Sequence, residues 1–78
     1  MNNQRRKAIA KITETITFLK EELAEIAEQE QEAFDSLPES FQNGEKGNRM
    51  EEIINELTEA VDGIESAIDN LANSVEMV

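Results

Sequence analysis

Residues 36–48 of the chain read Ser-Leu-Pro-Glu-Ser-Phe-Gln-Asn-Gly-Glu-Lys-Gly-Asn. Turn-forming residues are concentrated in this segment, and they predict where the flanking helices end and begin. Ser36 followed three residues later by Glu39 is typical of a capping box, with Pro38 in the first helical turn. We therefore expect the first helix to end near Asp35 and a short helical turn to follow it.

The second part of this segment predicts the start of the next helix. The short turn is expected to end at about Asn43, so that Gly44 takes the left-handed position that follows many helices. Asn48 and Glu51 have the spacing of an N-cap pair, which would begin the second helix. Because the connector is short and must reverse the chain, the two helices are expected to be antiparallel neighbours.

Each half of the chain carries a heptad stripe of mainly apolar residues, as in a coiled coil. The first stripe consists of Ile9, Ile12, Ile16, Leu19, Leu23, Ile26, Glu30, Ala33 and Leu37. The second consists of Met50, Ile54, Leu57, Val61, Ile64, Ile68, Leu71, Val75 and Val78. The sequence thus predicts an all-α fold in one domain, residues 1–78. It is an antiparallel two-helix hairpin, with helix 1 over about 3–35, a connector over 36–48 and helix 2 over about 49–76.

The two stripes fit a single antiparallel register. It pairs Ala33 with Met50, Glu30 with Ile54, Ile26 with Leu57, Leu23 with Val61, Leu19 with Ile64, Ile16 with Ile68, Ile12 with Leu71 and Ile9 with Val75. Further apolar residues widen both stripes, so a lone hairpin would leave apolar surface uncovered. We therefore expect a homo-oligomer, either a four-helix bundle or a higher assembly. The residues expected at the contact between copies are Phe18, Ile53, Ala60, Gly63 and Ala67. A ligand contact is the alternative explanation for Gly63, because glycine is unfavourable inside a helix.

The composition argues against enzymatic chemistry. The chain has a net charge of −11 and contains neither cysteine nor histidine. Disulfides and thiolate metal sites are thereby excluded, and the commonest general base is missing. We expect no catalytic residues, no metal and no cofactor. Glu30 is the only acid on a stripe, and either it lies at a wet end of the bundle or it pairs with a cation such as Arg49.

Several classes of partner are also disfavoured. No apolar run is long enough to span a membrane and no signal peptide is visible, so we expect a cytoplasmic protein. The aromatic residues are three phenylalanines, and the chain is acidic, which argues against direct nucleic-acid binding. The expected partners are other copies of the chain together with a host protein or a small nucleotide signal.

Two regions supply candidate contacts to a ligand or partner. The N-terminal cluster contains Arg5, Arg6, Lys7 and Lys11, and the connector region contains Phe41, Gln42, Asn43, Lys46, Asn48 and Arg49. The cluster would bind an anion, or it would simply match the acidic end of helix 2. The connector residues would bind a partner, or they would only close the hairpin.

The chain resembles small uncharacterised helical proteins of bacteriophages and bacterial mobile elements. The residues that carry the resemblance are Asn3-Gln4-Arg5-Arg6-Lys7, then Glu30-Gln31-Glu32-Ala33-Phe34-Asp35-Ser36-Leu37-Pro38-Glu39-Ser40, then Gly44-Glu45-Lys46-Gly47 and an acidic second helix. The resemblance implies a phage or mobile-element origin and no established activity. By analogy, phage proteins of this size often inhibit host systems by binding them.

Three functions remain open at this point. The first is a non-enzymatic homo-oligomer that binds and inhibits or sequesters a host component, including a defence component. The second is a sponge that sequesters an anionic nucleotide immune signal through a basic cluster. The third is an acidic mimic of nucleic acid, although acidic helix faces also serve solubility alone.

Overall fold

The computed structural model describes residues 1–77 as a helical hairpin. Helix α1 spans Asn3–Asp35, α2 spans Glu39–Gln42 and α3 spans Glu45–Glu76. The long helices α1 and α3 pack against each other, and the short α2 lies against α3. The molecule measures 58 × 15 × 12 Å, and residues 1–77 contain no strand. The predicted all-α hairpin with a short helical turn in its connector is confirmed.

The polar residues at the two ends of α1 satisfy its free backbone groups. At the start, the side-chain oxygen of Asn2 accepts a hydrogen bond of 2.8 Å from the Arg5 amide. At the end, Ser36 donates from its amide and its hydroxyl to the Glu32 carbonyl, at 3.0 and 2.9 Å. Ser36 therefore closes α1 instead of capping the next turn, and the predicted capping box is wrong. Pro38 occupies the N-cap of α2 without a side-chain bond.

Helix α3 begins at Glu45, four residues before the predicted start. Gly44 is its N-cap and has an extended backbone, with φ of −89°. No residue of the described chain has a positive φ, so the left-handed conformation predicted for Gly44 is wrong. Asn48 lies inside the helix, where its amide donates to the Gly44 carbonyl at 3.0 Å. The predicted Asn48 cap is therefore also wrong. The earlier start places Glu45 in the first turn, where the helix dipole stabilises a negative charge.

The turn between α2 and α3 depends on Gly47, which is buried. A Cβ added there would overlap the Gln42 carbonyl and would lie 2.5 Å from the Phe41 carbonyl oxygen. Only glycine allows the backbones to approach so closely. Gln42 also donates from Nε2 to the carbonyls of Phe34 and Leu37, at 3.2 and 3.1 Å. These contacts fix the connector, residues 36–44, against both long helices.

The seam between the long helices uses the predicted stripe of α3 from Met50 to Val75 but only half of the predicted stripe of α1. The last predicted residue of the α3 stripe, Val78, lies outside the described residues. In α1 the half-buried residues are Arg6, Ile9, Thr13, Ile16, Thr17, Lys20, Leu23, Ala24, Ala27, Glu30 and Phe34, and Leu37 in the connector is half-buried as well. Ile12, Leu19 and Ile26 are 52%, 52% and 50% exposed instead. The predicted pairings that involve Ile12, Leu19, Ile26 and Ala33 are therefore wrong. The apolar stripe of α1 is too wide for one neighbouring helix to cover, and this half of it lies outside the seam.

The register of the seam aligns the two ends of the hairpin. Arg6 donates from Nη2 to the Met77 carbonyl at 3.4 Å, so the start of α1 lies beside the end of α3. Near the connector, Phe34 and Gln31 line one hollow with Glu51 and Ile54. In both places, the numbers of adjacent residues add to about 84. Ile54, at 9% exposure, is the only apolar residue of 1–77 that is buried, so the hairpin has no enclosed core.

Candidate binding surfaces

Most of the large exposed apolar residues of the two long helices lie along one side of the hairpin. In α1, the residues Ile12, Leu19, Ile26 and Ala33 repeat every seven positions and so form a row along the helix. This row lies on one side of the residues that face α3. In α3, the row Ile53, Ala60 and Ala67 is rotated away from the seam in the same sense as the row of α1. Both helices are right-handed and they run antiparallel, so equal rotations bring the two rows to the same side. We call these seven residues the apolar flank.

The hollow near the connector supports this geometry independently. It is lined by Gln31, Phe34, Glu51, Ile54 and Asn55. Gln31 and Glu51 belong to rows on the other side of the seam from the apolar flank. They lie beside each other in this hollow. The rows of the apolar flank must then adjoin each other on the other side.

Acidic residues line the side opposite the apolar flank. They are Glu14, Glu21, Glu28 and Asp35 of α1 with Glu51, Asp62, Glu65, Asp69 and Glu76 of α3, which we call the acidic flank. Lys7 is the one basic residue in the same rows. The rows of the apolar flank, together with the rows just outside it, contain two acidic residues, Glu22 and Glu56. They also contain three basic residues, Arg5, Lys46 and Arg49. One side of the hairpin is therefore strongly acidic, and the other is apolar and close to neutral.

The residues predicted to mediate contact between copies lie mostly on or beside the apolar flank. Ile53, at 48% exposure, Ala60 and Ala67 belong to it. Gly63 lies in the next row outward, and a Cβ added to it would meet nothing within 4 Å. Phe18 is 59% exposed and lies farther round α1, beside a hollow that it forms with Lys11, Glu14 and Thr15. No contact within the hairpin accounts for a glycine at Gly63.

The N-terminal basic residues point in several directions. Arg6 is half-buried and holds the Met77 carbonyl, so it joins the two long helices. Arg5, Lys7 and Lys11 are exposed on successive sides of α1. The structure thus gives one of the four predicted contacts a role within the chain.

The connector candidates divide in the same way. Gln42 is half-buried and satisfies two backbone carbonyls, as described above. Arg49 forms an exposed ion pair with Glu45 at 3.3 Å, one helical turn away. Phe41 is 55% exposed, and Asn43, Lys46 and Asn48 are exposed as well.

The two groups of basic residues lie at opposite ends of the hairpin. The N-terminal cluster lies at the start of α1, whereas Lys46 and Arg49 lie at the start of α3, next to the connector. The cluster lies within the first third of α1, so roughly 25–30 residues of that helix separate the two groups, a distance of about 40 Å at 1.5 Å per residue. One chain therefore cannot bring both groups to a single small anion.

The other surface features are shallow. Three hollows are open to solvent, and each is lined by only four or five residues. Small-molecule sites normally enclose most of their ligand. Within residues 1–77, no group of three or more acidic side chains is arranged to hold a metal ion. No described helix has the length and apolar content to cross a membrane.

Comparisons with known proteins leave the function to be argued from these surfaces. No family model, curated protein or solved structure matches the chain.

Sequence reasoning identified the hairpin but did not identify its two unlike flanks. The signal was present in the heptad positions, since Ile12, Leu19 and Ile26 repeat every seven residues, as do Glu14, Glu21 and Glu28. Assigning these rows to sides requires the rotation of α1 about its axis. That rotation is ambiguous when the apolar stripe is wide.

Proposed function

We propose that the protein is a non-enzymatic, homo-oligomeric binding protein that sequesters or inhibits a partner protein with a basic surface. This proposal rests on the position of the apolar flank and the acidic flank on opposite sides of the hairpin. An apolar, nearly neutral flank suits contact with another copy, and a straight acidic flank on the opposite side then faces outward. Two long packed helices give that acidic surface a fixed shape, as a binding surface requires.

The charge of the acidic flank favours a basic partner over other classes. Nine acidic residues with one base along a rigid rod produce a negative field that attracts cationic surfaces and repels nucleic acid. The proteins with such cationic surfaces include those that bind nucleic acid. The acidic flank would then occupy the place of a nucleic acid on its partner. The resemblance to phage and mobile-element proteins supports a host component, including a defence component, as the target.

A nucleotide sponge is less well supported. Its candidate contacts are the N-terminal cluster together with Lys46 and Arg49, and these groups lie about 40 Å apart in one chain. Only an assembly that places the connector of one copy beside the N-terminus of another would bring them together.

The proposal is tested by removing negative charges from the acidic flank without changing the fold. One variant replaces Glu14, Glu21, Glu28 and Glu65 with Gln. The matched control replaces four exposed acids between the flanks, Glu25, Glu32, Glu52 and Glu59, with Gln. Each tagged protein is used to capture partners from an extract of the host, and bound proteins are released with increasing salt.

We expect wild type and control to retain the same basic proteins, and the flank variant to lose them at least tenfold. Bound proteins should elute as salt rises, because salt screens exposed charges. Each captured protein is then tested for nucleic-acid binding with and without the hairpin, and competition is expected. Equal capture by both variants, or capture unaffected by salt, would contradict the role given to the acidic flank.

A further inference from the structure

We infer that the apolar flank binds a second copy of the chain about a two-fold axis parallel to the helices. In this dimer, α1 of each copy packs against α3 of the other, and both connectors lie at the same end. The inference deepens the oligomeric part of the proposed function and rests on it. It specifies which side of the hairpin is covered, by which helices, and in which orientation.

The exposed area indicates that a partner covers the hairpin. The chain exposes 5961 Å², whereas a compact monomer of 8.8 kDa would expose about 4,800 Å². The excess is roughly 1,200 Å², and a stable interface typically covers about 800 Å² on each partner. A face of 58 × 15 Å, the largest the hairpin offers, has about this area. The uncovered surface is thus sufficient for a stable dimer.

Charge selects the apolar flank over the acidic flank. Two acidic flanks brought together would place like charges in contact across the whole length of the interface, which is unfavourable. The apolar flank and its borders hold two acids and three bases. Contact through it also directs both acidic flanks outward, away from each other.

Side-chain size selects the orientation. On α1 the flank is a ridge of large residues, Ile12, Leu19 and Ile26. On α3 it is a trough, because Ala60 and Ala67 are small and Gly63 lies between them. In the register of the hairpin, Leu19 lies within one helical turn of the level of Ala67, and Ile26 lies within one helical turn of the level of Ala60. A two-fold axis parallel to the helices keeps these levels, so the ridge of each copy enters the trough of the other.

The same alternation continues toward both ends. Ile12 lies near the level of Ser74, and the small Ala33 lies near the level of Ile53, so each layer joins one large and one small residue. The opposite orientation, with connectors at opposite ends, packs ridge on ridge and trough on trough. That arrangement crowds one pair of helices and leaves a gap between the other pair, and both defects destabilise a packed interface. The close approach required by the trough also accounts for a glycine at Gly63, where an added Cβ would meet nothing within 4 Å in its own chain.

Orientation is tested by one distance across the dimer. The chain has no cysteine, so Ser40→Cys in the exposed connector provides a single attachment site for a spin label. With connectors at the same end, we expect a label-to-label distance below about 30 Å, because two helical layers pack 8–10 Å apart. With connectors at opposite ends, the distance would approach the 58 Å length of the hairpin. The mass of the labelled protein in solution is measured on the same sample.

The surface is tested by two matched substitutions in α3. Ala67→Leu fills the trough and should weaken dimer formation at least tenfold. Ala72→Leu makes the same change at an exposed position on the side of the acidic flank, and it should leave dimer formation within about twofold of wild type. Circular dichroism checks that both variants remain helical.

Each outcome decides a different part of the inference. A monomer at all concentrations would overturn both the dimer and the oligomeric part of the proposed function. A dimer with a long label distance would overturn the orientation alone. A dimer with a short distance that tolerates Ala67→Leu as well as Ala72→Leu would overturn the assignment to the apolar flank. Loss of partner capture with an intact dimer would count against the acidic flank instead.

Discussion

The substitution Gly47→Ala is predicted to destabilise the hairpin, although Ala is normally the better helix former. In the interior of a helix, replacing Gly by Ala stabilises by about 1 kcal/mol. At Gly47, however, the new Cβ would overlap the Gln42 carbonyl and lie 2.5 Å from the Phe41 carbonyl oxygen. Both neighbours are backbone atoms, so they can yield only if α2 moves away from α3.

The magnitude follows from these opposing effects. Overpacking that forces a backbone shift typically costs about 1–3 kcal/mol, and displacing α2 also strains the two hydrogen bonds of Gln42. Because the strain in these hydrogen bonds offsets part of the helix gain, the net loss is roughly 1–2 kcal/mol. For a domain of this size, that loss corresponds to a decrease in Tm of about 5–15 °C.

The assay is thermal unfolding followed by circular dichroism, with all proteins at one concentration because oligomers unfold in a concentration-dependent way. Gly63→Ala is the matched control, since it makes the same change in the same helix where a Cβ meets nothing within 4 Å. At a dilution that leaves the hairpin monomeric, Gly63→Ala should stabilise by about 1 kcal/mol. A Gly47→Ala protein as stable as wild type would refute the close approach of α2 and α3.

Three further predictions concern the helix ends. Asn2→Ala removes the side-chain acceptor of the Arg5 amide and should cost about 1 kcal/mol, measured by urea unfolding, whereas Asn3→Ala should cost less. Gln42→Ala removes two donors to the carbonyls of Phe34 and Leu37 and should cost about 1–3 kcal/mol, with Gln29→Ala as an exposed control. The Arg49–Glu45 pair is exposed at both ends, and a double-mutant cycle should give a coupling of at most about 0.5 kcal/mol. A coupling above about 1 kcal/mol would contradict the exposed geometry of this pair.

The sequence predicted the hairpin because two long heptad stripes and a short connector admit few other arrangements. It did not predict how the connector forms its turns. Ser36 and Gly44 each suit more than one position at a helix end, and the choice depends on contacts made elsewhere. Gly47 makes one such contact, because only a residue without a Cβ lets α3 lie against the backbone of α2 at this point.

The candidate surfaces were predictable in part. The charge and the apolar excess were visible in the composition, and so was the small-residue character of Ala60, Gly63 and Ala67. Which half of the α1 stripe enters the seam was not. Ile12, Leu19 and Ile26 are as apolar as Ile9, Ile16 and Leu23, so local sequence does not distinguish the row that faces α3. The choice becomes visible only when both helices are placed together.

Raising the salt concentration is predicted to have opposite effects on dimer formation through the apolar flank and on partner binding through the acidic flank. Each copy carries a net charge of −11, so forming a dimer brings together like-charged molecules. The contact itself is apolar and nearly neutral, so screening removes the repulsion and leaves the attraction. Partner binding through the acidic flank is instead an attraction between exposed opposite charges, which screening weakens. Raising the salt concentration from about 0.05 to 0.5 M should therefore tighten the dimer while it releases the partner, because the screening length shortens severalfold. If both weakened together, the copies would be held by charge, and the separation of roles between the two flanks would be wrong.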